Sequence, residues 1–187
     1  MLIRHAESTA NVGKKTFYPE TIELTETGKM QAKEIAEKIT DKPDLVVTSP
    51  FIRTLRTAEP LLSKFPETKH EQWQVQEFTY ISPLKCHNTT MEDRIPLAME
   101  YWEKNDPYYE DGKGAESFAS FITRVADCKA MIKNRPENYI IVFSHYQFIA
   151  AFNWLKDTSR ITKELMGEFR QYLFNCQIAN ASITEAV

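Results

Sequence analysis

Cysteine is scarce in this chain: Cys86, Cys128 and Cys176 are three among 187 residues. An odd number at wide spacing, with no Cys-x-x-Cys pair, argues against a disulfide scaffold and a thiolate metal site. It favours a reducing, cytoplasmic setting. Long apolar runs are also missing. None approaches the ~18 residues of a membrane-spanning helix, and the N-terminus lacks the pattern of a signal peptide. Nor is there an excess of positive charge: 23 Lys and Arg stand against 26 Asp and Glu, a net charge of −3. That balance points away from nucleic acid and from anionic membranes, so any positive cluster has to be local. Internal repeats and low-complexity segments are absent as well.

What remains is an ordinary globular composition. Hydrophobic residues make up 42% of the chain, and 187 residues suffice for one domain with a full three-layer core. Met1 stands almost directly on the first strand pattern, so either that strand is short or residues upstream belong to it.

Strand and helix patterns alternate along the chain. Residues 24–39 carry an apolar stripe, Ala32, Ile35, Ala36 and Ile39, at helical spacing, with Thr25 as N-cap. Asp44 to Ser49 reads as a buried strand stopped by Pro50. A helix is expected from Phe51 to Phe65, kinked or restarted at Pro60. Trp73 to Phe78 alternates apolar and polar residues like a half-exposed strand. Residues 79–115 mix prolines and aromatics around a helical piece at 91–104, and read as a lid-like insertion over the sheet edge. Its tyrosines and Trp102 are read as packing rather than as a stacking platform, although Lys85, Arg94, Lys104 and Lys113 lie near enough in sequence to suggest a second anion contact. Helices follow at 117–132, from 146 through Trp154, and around 163–170, with strands at 139–144 and 181–186. The order predicts an α/β fold, a three-layer α/β/α sandwich on a mostly parallel sheet.

Two of the four histidines end buried-strand patterns: Leu2-Ile3-Arg4-His5 and Tyr139-Ile140-Ile141-Val142-Phe143-Ser144-His145. The carboxyl edge of an open α/β sheet is where ligands bind. A neutral imidazole held by a hydrogen bond on one nitrogen can attack phosphorus with the other. A transferring phosphoryl group also needs fixed positive charge on its oxygens, which Arg4 and Arg53 could supply bidentately, with His145 as a further donor. Each residue alone has an ordinary explanation: a strand-end or core histidine, a solvated arginine, and in Glu77 a surface carboxylate. Their joint placement after three strands makes the pattern informative. His70 and His87 sit in polar, irregular contexts and carry no such signal.

The residues that carry chemistry form an ordered set. Arg4-His5-Ala6-Glu7 with Asn11, Leu24-Thr25-Glu26-Thr27-Gly28, Ser49-Pro50-Phe51-Ile52-Arg53-Thr54-Leu55-Arg56-Thr57-Ala58, Gly114-Ala115-Glu116-Ser117, Ser144-His145 and Asn180-Ala181-Ser182 run from one end of the chain to the other. In that order they resemble the motifs of the histidine phosphatase superfamily, the phosphoglycerate mutase-like proteins. The resemblance implies a single domain over 1–187 and a metal-independent, cofactor-free phosphatase of the histidine acid type, a phosphoric monoester hydrolase. It implies that His5 becomes phosphohistidine, that Arg4, Arg53 and His145 bind the phosphoryl oxygens, and that Ser8 and Asn11 line the same pocket. Glu77 would be the general acid, with Glu7 or an acidic residue of 91–116 as the alternative. The expected partner is a phosphorylated small molecule or a phosphoprotein, and a homodimer is the oligomer to look for.

The chain departs from the family pattern at four places. Ala6 and Tyr146 stand where glycine is usual, and Tyr146 would narrow the pocket mouth or add a hydroxyl. Thr54 replaces alanine, a change with no expected consequence, and Glu77 lacks the usual Gly-x-Trp-Glu-Gly surroundings. Two other readings stay open: a phosphoglycerate-type phosphomutase, and a catalytically silent phospho-ligand-binding protein.

Overall fold

In the computed structural model, which describes residues 1–156 and 160–185, five strands form one sheet. The elements are β1 (Leu2–Arg4), α1 (Glu26–Lys38), β2 (Leu45–Thr48), α2 (Ile52–Lys64), β3 (Lys69–Gln72), α3 (Pro83–Cys86), α4 (Ile95–Lys104), α5 (Phe118–Lys133), β4 (Ile140–Ser144), α6 (Tyr146–Trp154), α7 (Lys163–Asn175) and β5 (Ile183–Thr184). Strand order is β3-β2-β4-β1-β5, and only β5 runs antiparallel to its neighbour. Among the described residues no helix is long and apolar enough to cross a membrane.

Alternation along the strands builds two core layers. Leu2, Leu45, Val47, Ile140 and Val142 face one way, against Phe121, Ile122 and Val125 of α5 and Phe148, Ile149 and Phe152 of α6. Ile3, Val46, Ile141 and Phe143 face the other way, against Ile35 and Ala36 of α1 and Ala58 and Leu61 of α2. A strand buried on both faces therefore reads as a continuous apolar run, as β2 and β4 do. Each side chain so buried contributes about 1.5–3 kcal/mol by removal from water.

The helix starts follow local chemistry. Thr25 accepts the Gly28 amide and Ser117 the Ser120 amide, so both helices begin at their side-chain caps. Gly28 has a further reason to be glycine: a Cβ there would stand 2.0 Å from the Glu7 carbonyl oxygen, which accepts the Thr25 amide at 3.0 Å. Gly28→Ala is therefore expected to lower stability by about 1–3 kcal/mol, although alanine outranks glycine by about 1 kcal/mol as a helix former. The urea midpoint measures it; an unchanged or raised midpoint would contradict the close approach of α1 to the segment after His5.

Four elements differ from their sequence reading. The third strand is Lys69–Gln72, not 73–78. Its residues are polar because it is an edge strand, paired with β2 on one side only. The alternation at 73–78 records burial instead: Trp73, Val75 and Phe78 enter the core, and the segment forms no strand, although the Trp73 amide still donates to the Thr48 carbonyl of β2. α2 runs through Pro60 as one helix, and α7 extends to Asn175. The closing strand shrinks to Ile183–Thr184, and Ala186 lies outside the described residues. Within 79–115, Tyr101 and Trp102 are buried and pack around Phe78 and Phe118, so these aromatics serve the core.

Candidate active site

Adjacency of β1 and β4 brings the two strand-end histidines together. Arg4 pairs with Ser144 in the parallel register, so His5 and His145 leave the sheet side by side, with ring centroids 5.1 Å apart. His5 Nδ1 lies 2.8 Å from the Ala6 carbonyl oxygen. A carbonyl oxygen can only accept, so Nδ1 carries the proton and Nε2 presents its lone pair. The Ala6 amide is held in turn by Thr57 Oγ1 at 3.0 Å, and Thr57 donates to the Arg53 carbonyl at 2.6 Å. Alanine is accommodated in place of glycine here: Ala6 is fully buried and its φ lies outside the left-handed region.

One cavity of about 460 Å³ is lined by Arg4, His5, Ser8, Asn11, Arg53, Glu77 and Tyr146, so seven of the eight residues expected at the site meet on one surface. His145 is the eighth. It is completely buried, beside His5 and edge-on to Phe51, and does not line the cavity. Arg53 donates to the Pro19 carbonyl at 2.6 Å and lies over the Phe51 ring. Burial lowers its guanidinium to about 10, against the opposing pull of Glu77, which still leaves it cationic at neutral pH. Arg4 donates through Nη1 to the Ile178 carbonyl at 2.6 Å, while its Nε is buried without a partner among the described residues. Tyr146 lines the cavity: Arg4 stacks over its ring, and its hydroxyl donates toward the carbonyls of Leu173 and Cys176.

Asn11 is oriented by three donors on one oxygen. The Ser8 amide, the Ser8 hydroxyl and Asn180 Nδ2 all point to its Oδ1, at 3.0, 2.7 and 3.3 Å. Its Nδ2 is thereby left as a donor for a ligand. Asn180 also donates to the His5 carbonyl at 3.0 Å, a contact that nothing in the local sequence announces.

Glu77 is the acidic side chain on the cavity wall. Its Oε1 accepts the amide of Gln147, in the first turn of α6, at 2.9 Å. Glu7 is engaged elsewhere, accepting from Thr25 Oγ1 at 2.6 Å, and is not on that wall. Desolvation raises the Glu77 carboxyl above the ordinary range, with Arg53 and Arg4 acting against it. Its segment is held by Arg124, which donates to the carbonyls of Gln74, Gln76 and Glu77 and pairs with both Glu116 oxygens. Of the cations in 79–115, Lys85 pairs with Asp111 and Lys104 with Glu100, while Arg94 lines the cavity and binds Thr16, Thr89 and the Cys86 carbonyl. Among the described residues no group of three or more His, Cys, Asp or Glu is placed to hold a metal ion.

Burial drives both histidines well below the ordinary imidazole range; Arg53 and Arg4 lower each further, and His5 and Arg124 add to the effect on His145. The unfolded chain takes up protons near pH ~6.5 that the folded protein refuses, so the two rings stabilise the fold fully above that pH. As pH falls below it, each is expected to cost about 1.4 kcal/mol per unit until its folded value is reached. Glu77, shifted upward, acts in the opposite direction but as one group against two. Urea midpoints should therefore fall between pH ~6.5 and ~5; a flat profile would contradict two buried neutral imidazoles.

Comparison with known proteins agrees with this geometry. The model of the histidine phosphatase superfamily (branch 1) matches residues 1–186. The uncharacterized phosphatase PhoE of Bacillus subtilis is 42% identical over 59 residues, a match spanning 31% of this chain and 31% of that relative. Among solved structures, a mycobacterial hydrolase superposes with a TM-score of 0.68 at 21% identity, covering 97% of this chain and 85% of its own. Entamoeba histolytica phosphoserine phosphatase, in complex with 3-phosphoglyceric acid, gives 0.66 at 23% identity, with 96% and 85% covered. The alpha-ribazole phosphatase of Shigella flexneri gives 0.65 at 21%, with 89% and 82% covered. At these identities the structures establish a shared fold, and the family match over nearly the whole length establishes descent: the chain belongs to the histidine phosphatase superfamily, branch 1.

Proposed function

We propose that the protein is a phosphomonoesterase that hydrolyses its substrate in two steps through a phosphohistidine on His5, without a metal. The observation that carries this reading is the His5 ring itself, which lines the cavity with two arginines and whose Nδ1–H is bound to the Ala6 carbonyl, leaving the Nε2 lone pair free. In the first step the Nε2 lone pair forms the P–N bond as the P–O bond to the alcohol breaks. Glu77, protonated, gives its proton to the departing oxygen. In the second step Glu77, now ionised, takes a proton from water as the water oxygen attacks phosphorus and the P–N pair returns to His5. Arg4 and Arg53 neutralise the equatorial oxygens throughout, and the unpartnered Arg4 Nε and the Asn11 amide are further donors to them.

The rest of the cavity bears on the substrate. Phe17, Ile22, Phe51, Tyr80, Ile81, Met91 and Ile95 line it beyond the arginines, which suits a small organic phosphomonoester with an apolar alcohol portion. Segment 79–115 supplies much of that wall and would act as the lid. Three departures from the family pattern are compatible with this reading: Ala6 is enclosed, Arg4 stacks over the Tyr146 ring, and Glu77 lines the cavity.

The test is hydrolysis of p-nitrophenyl phosphate in excess chelator. The expected result is equal release of nitrophenol and inorganic phosphate. A requirement for bisphosphate priming, with phosphate passing between positions of an acceptor, would favour the mutase. Tight vanadate binding without turnover would make the pocket a silent one.

A further inference from the structure

We propose that Ser49 and Thr54 decide which nitrogen of His145 carries its proton, and that Ser49 is thereby a positioning residue for the phosphoryl site. The proposal rests on the phosphatase reading above. His145 is fully buried, with Nε2 2.7 Å from Ser49 Oγ and with Nδ1 lacking any partner among the described residues. Native structures seldom leave a buried polar atom unpaired, so the free Nδ1 points to a ligand that completes it. A neutral ring has one N–H, and the two choices have opposite consequences. A phosphoryl oxygen that reached the ring from the His5 side, 5.1 Å away between centroids, would meet a donor with the proton on Nδ1 and a bare lone pair with the proton on Nε2.

The hydroxyls behind the ring make both choices available. Ser49 Oγ accepts the Phe51 amide at 3.1 Å, which leaves its own O–H for either His145 Nε2 or Thr54 Oγ1, the latter 2.9 Å away. Thr54, itself fully buried, lies within 3.1 Å of the Ser49 carbonyl and 2.8 Å of the Phe51 carbonyl. In one complete arrangement Thr54 donates to the Phe51 carbonyl, Ser49 donates to Nε2, and the ring proton sits on Nδ1. In the other, Nε2–H donates to Ser49, Ser49 to Thr54, and Thr54 to the Phe51 carbonyl, leaving Nδ1 bare. Each hydroxyl and each ring holds one proton in both. Without the Thr54 hydroxyl, the Ser49 proton has Nε2 as its side-chain acceptor and the first arrangement prevails. Thr54 thus does more than fill space: it gives the chain a resting state that an oxyanion on the His5 side must reverse.

Long-range 1H–15N NMR of the His145 ring reads this directly, with orthovanadate as the phosphoryl mimic. Wild type is expected to shift from a mixed or Nε2–H ring when free to an Nδ1–H ring with vanadate. Thr54→Val, which keeps the shape and removes the hydroxyl, should show Nδ1–H already in the free protein. Ser49→Ala, which removes the side-chain partner of Nε2, should lower kcat/KM by about tenfold or more and leave the free ring unresponsive to Thr54→Val. An Nε2–H ring in the vanadate complex, or a free ring unchanged by Thr54→Val, would overturn the proposal. The free-protein comparison needs neither binding nor turnover. A wild type that bound no vanadate and hydrolysed nothing would instead sink the phosphatase reading and leave that comparison standing.

Discussion

Replacing His5 with alanine is expected to lower kcat for p-nitrophenyl phosphate by about 10⁴-fold or more, because it removes the atom that forms the covalent bond. Arg4 and Arg53 would remain, so phosphate and vanadate should still bind. Folding should be nearly unaffected: the ring makes one hydrogen bond of its own, to the adjacent Ala6 carbonyl. Removing a buried neutral imidazole also deletes one of the two acid-labile groups, so the variant should hold its urea midpoint to lower pH than wild type. Activity within tenfold of wild type, in a folded variant, would rule out His5 as the nucleophile.

Glu77→Gln should show a loss that depends on the leaving group. Alkyl alcohols leave poorly without a proton, so hydrolysis of an alkyl phosphate should fall by about 10²–10⁴-fold. p-Nitrophenolate needs little protonation, and formation of the phosphoenzyme from its ester should fall by less than about tenfold. Glutamine keeps an oxygen where Glu77 Oε1 accepts the amides of Gln147 and Phe78, so the segment should stay in place. It also removes the only acidic group on the cavity wall among the described residues, and with it the limb of the pH–rate profile that reports ionisation of the raised carboxyl. Equal losses across leaving groups would move the acid role elsewhere.

Much of the site could be read from the sequence because it consists of strand ends. β1, β2 and β4 are short apolar runs buried on both faces, and a residue that follows such a run stands at the carboxyl edge of the sheet whatever the loops do. That logic located Arg4, His5 and His145, and the helix start after β2 located Arg53. Residues whose roles depend on contacts between distant segments could not be read in this way. Asn180 reaches Asn11 and His5 from the far end of the chain, and Arg124 holds the carbonyls of 74–77 from α5. Thr54 looked inconsequential because a hydroxyl one residue after an arginine gives no local signal; its meaning comes from Ser49 and from the ring of His145. The polar edge strand β3 was unreadable for a different reason. With one neighbour and exposed residues, it has no hydrophobic pattern to betray it.

The central claim is that phosphorus becomes covalently bound to His5. Rapid-quench mass spectrometry of the protein mixed with p-nitrophenyl phosphate tests it most directly. The account predicts a transient species heavier by one PO₃H group, lost in acid and stable in alkali, located on the peptide containing His5 and missing from His5→Ala. Steady turnover with no such species, or with phosphate on another residue, would contradict it.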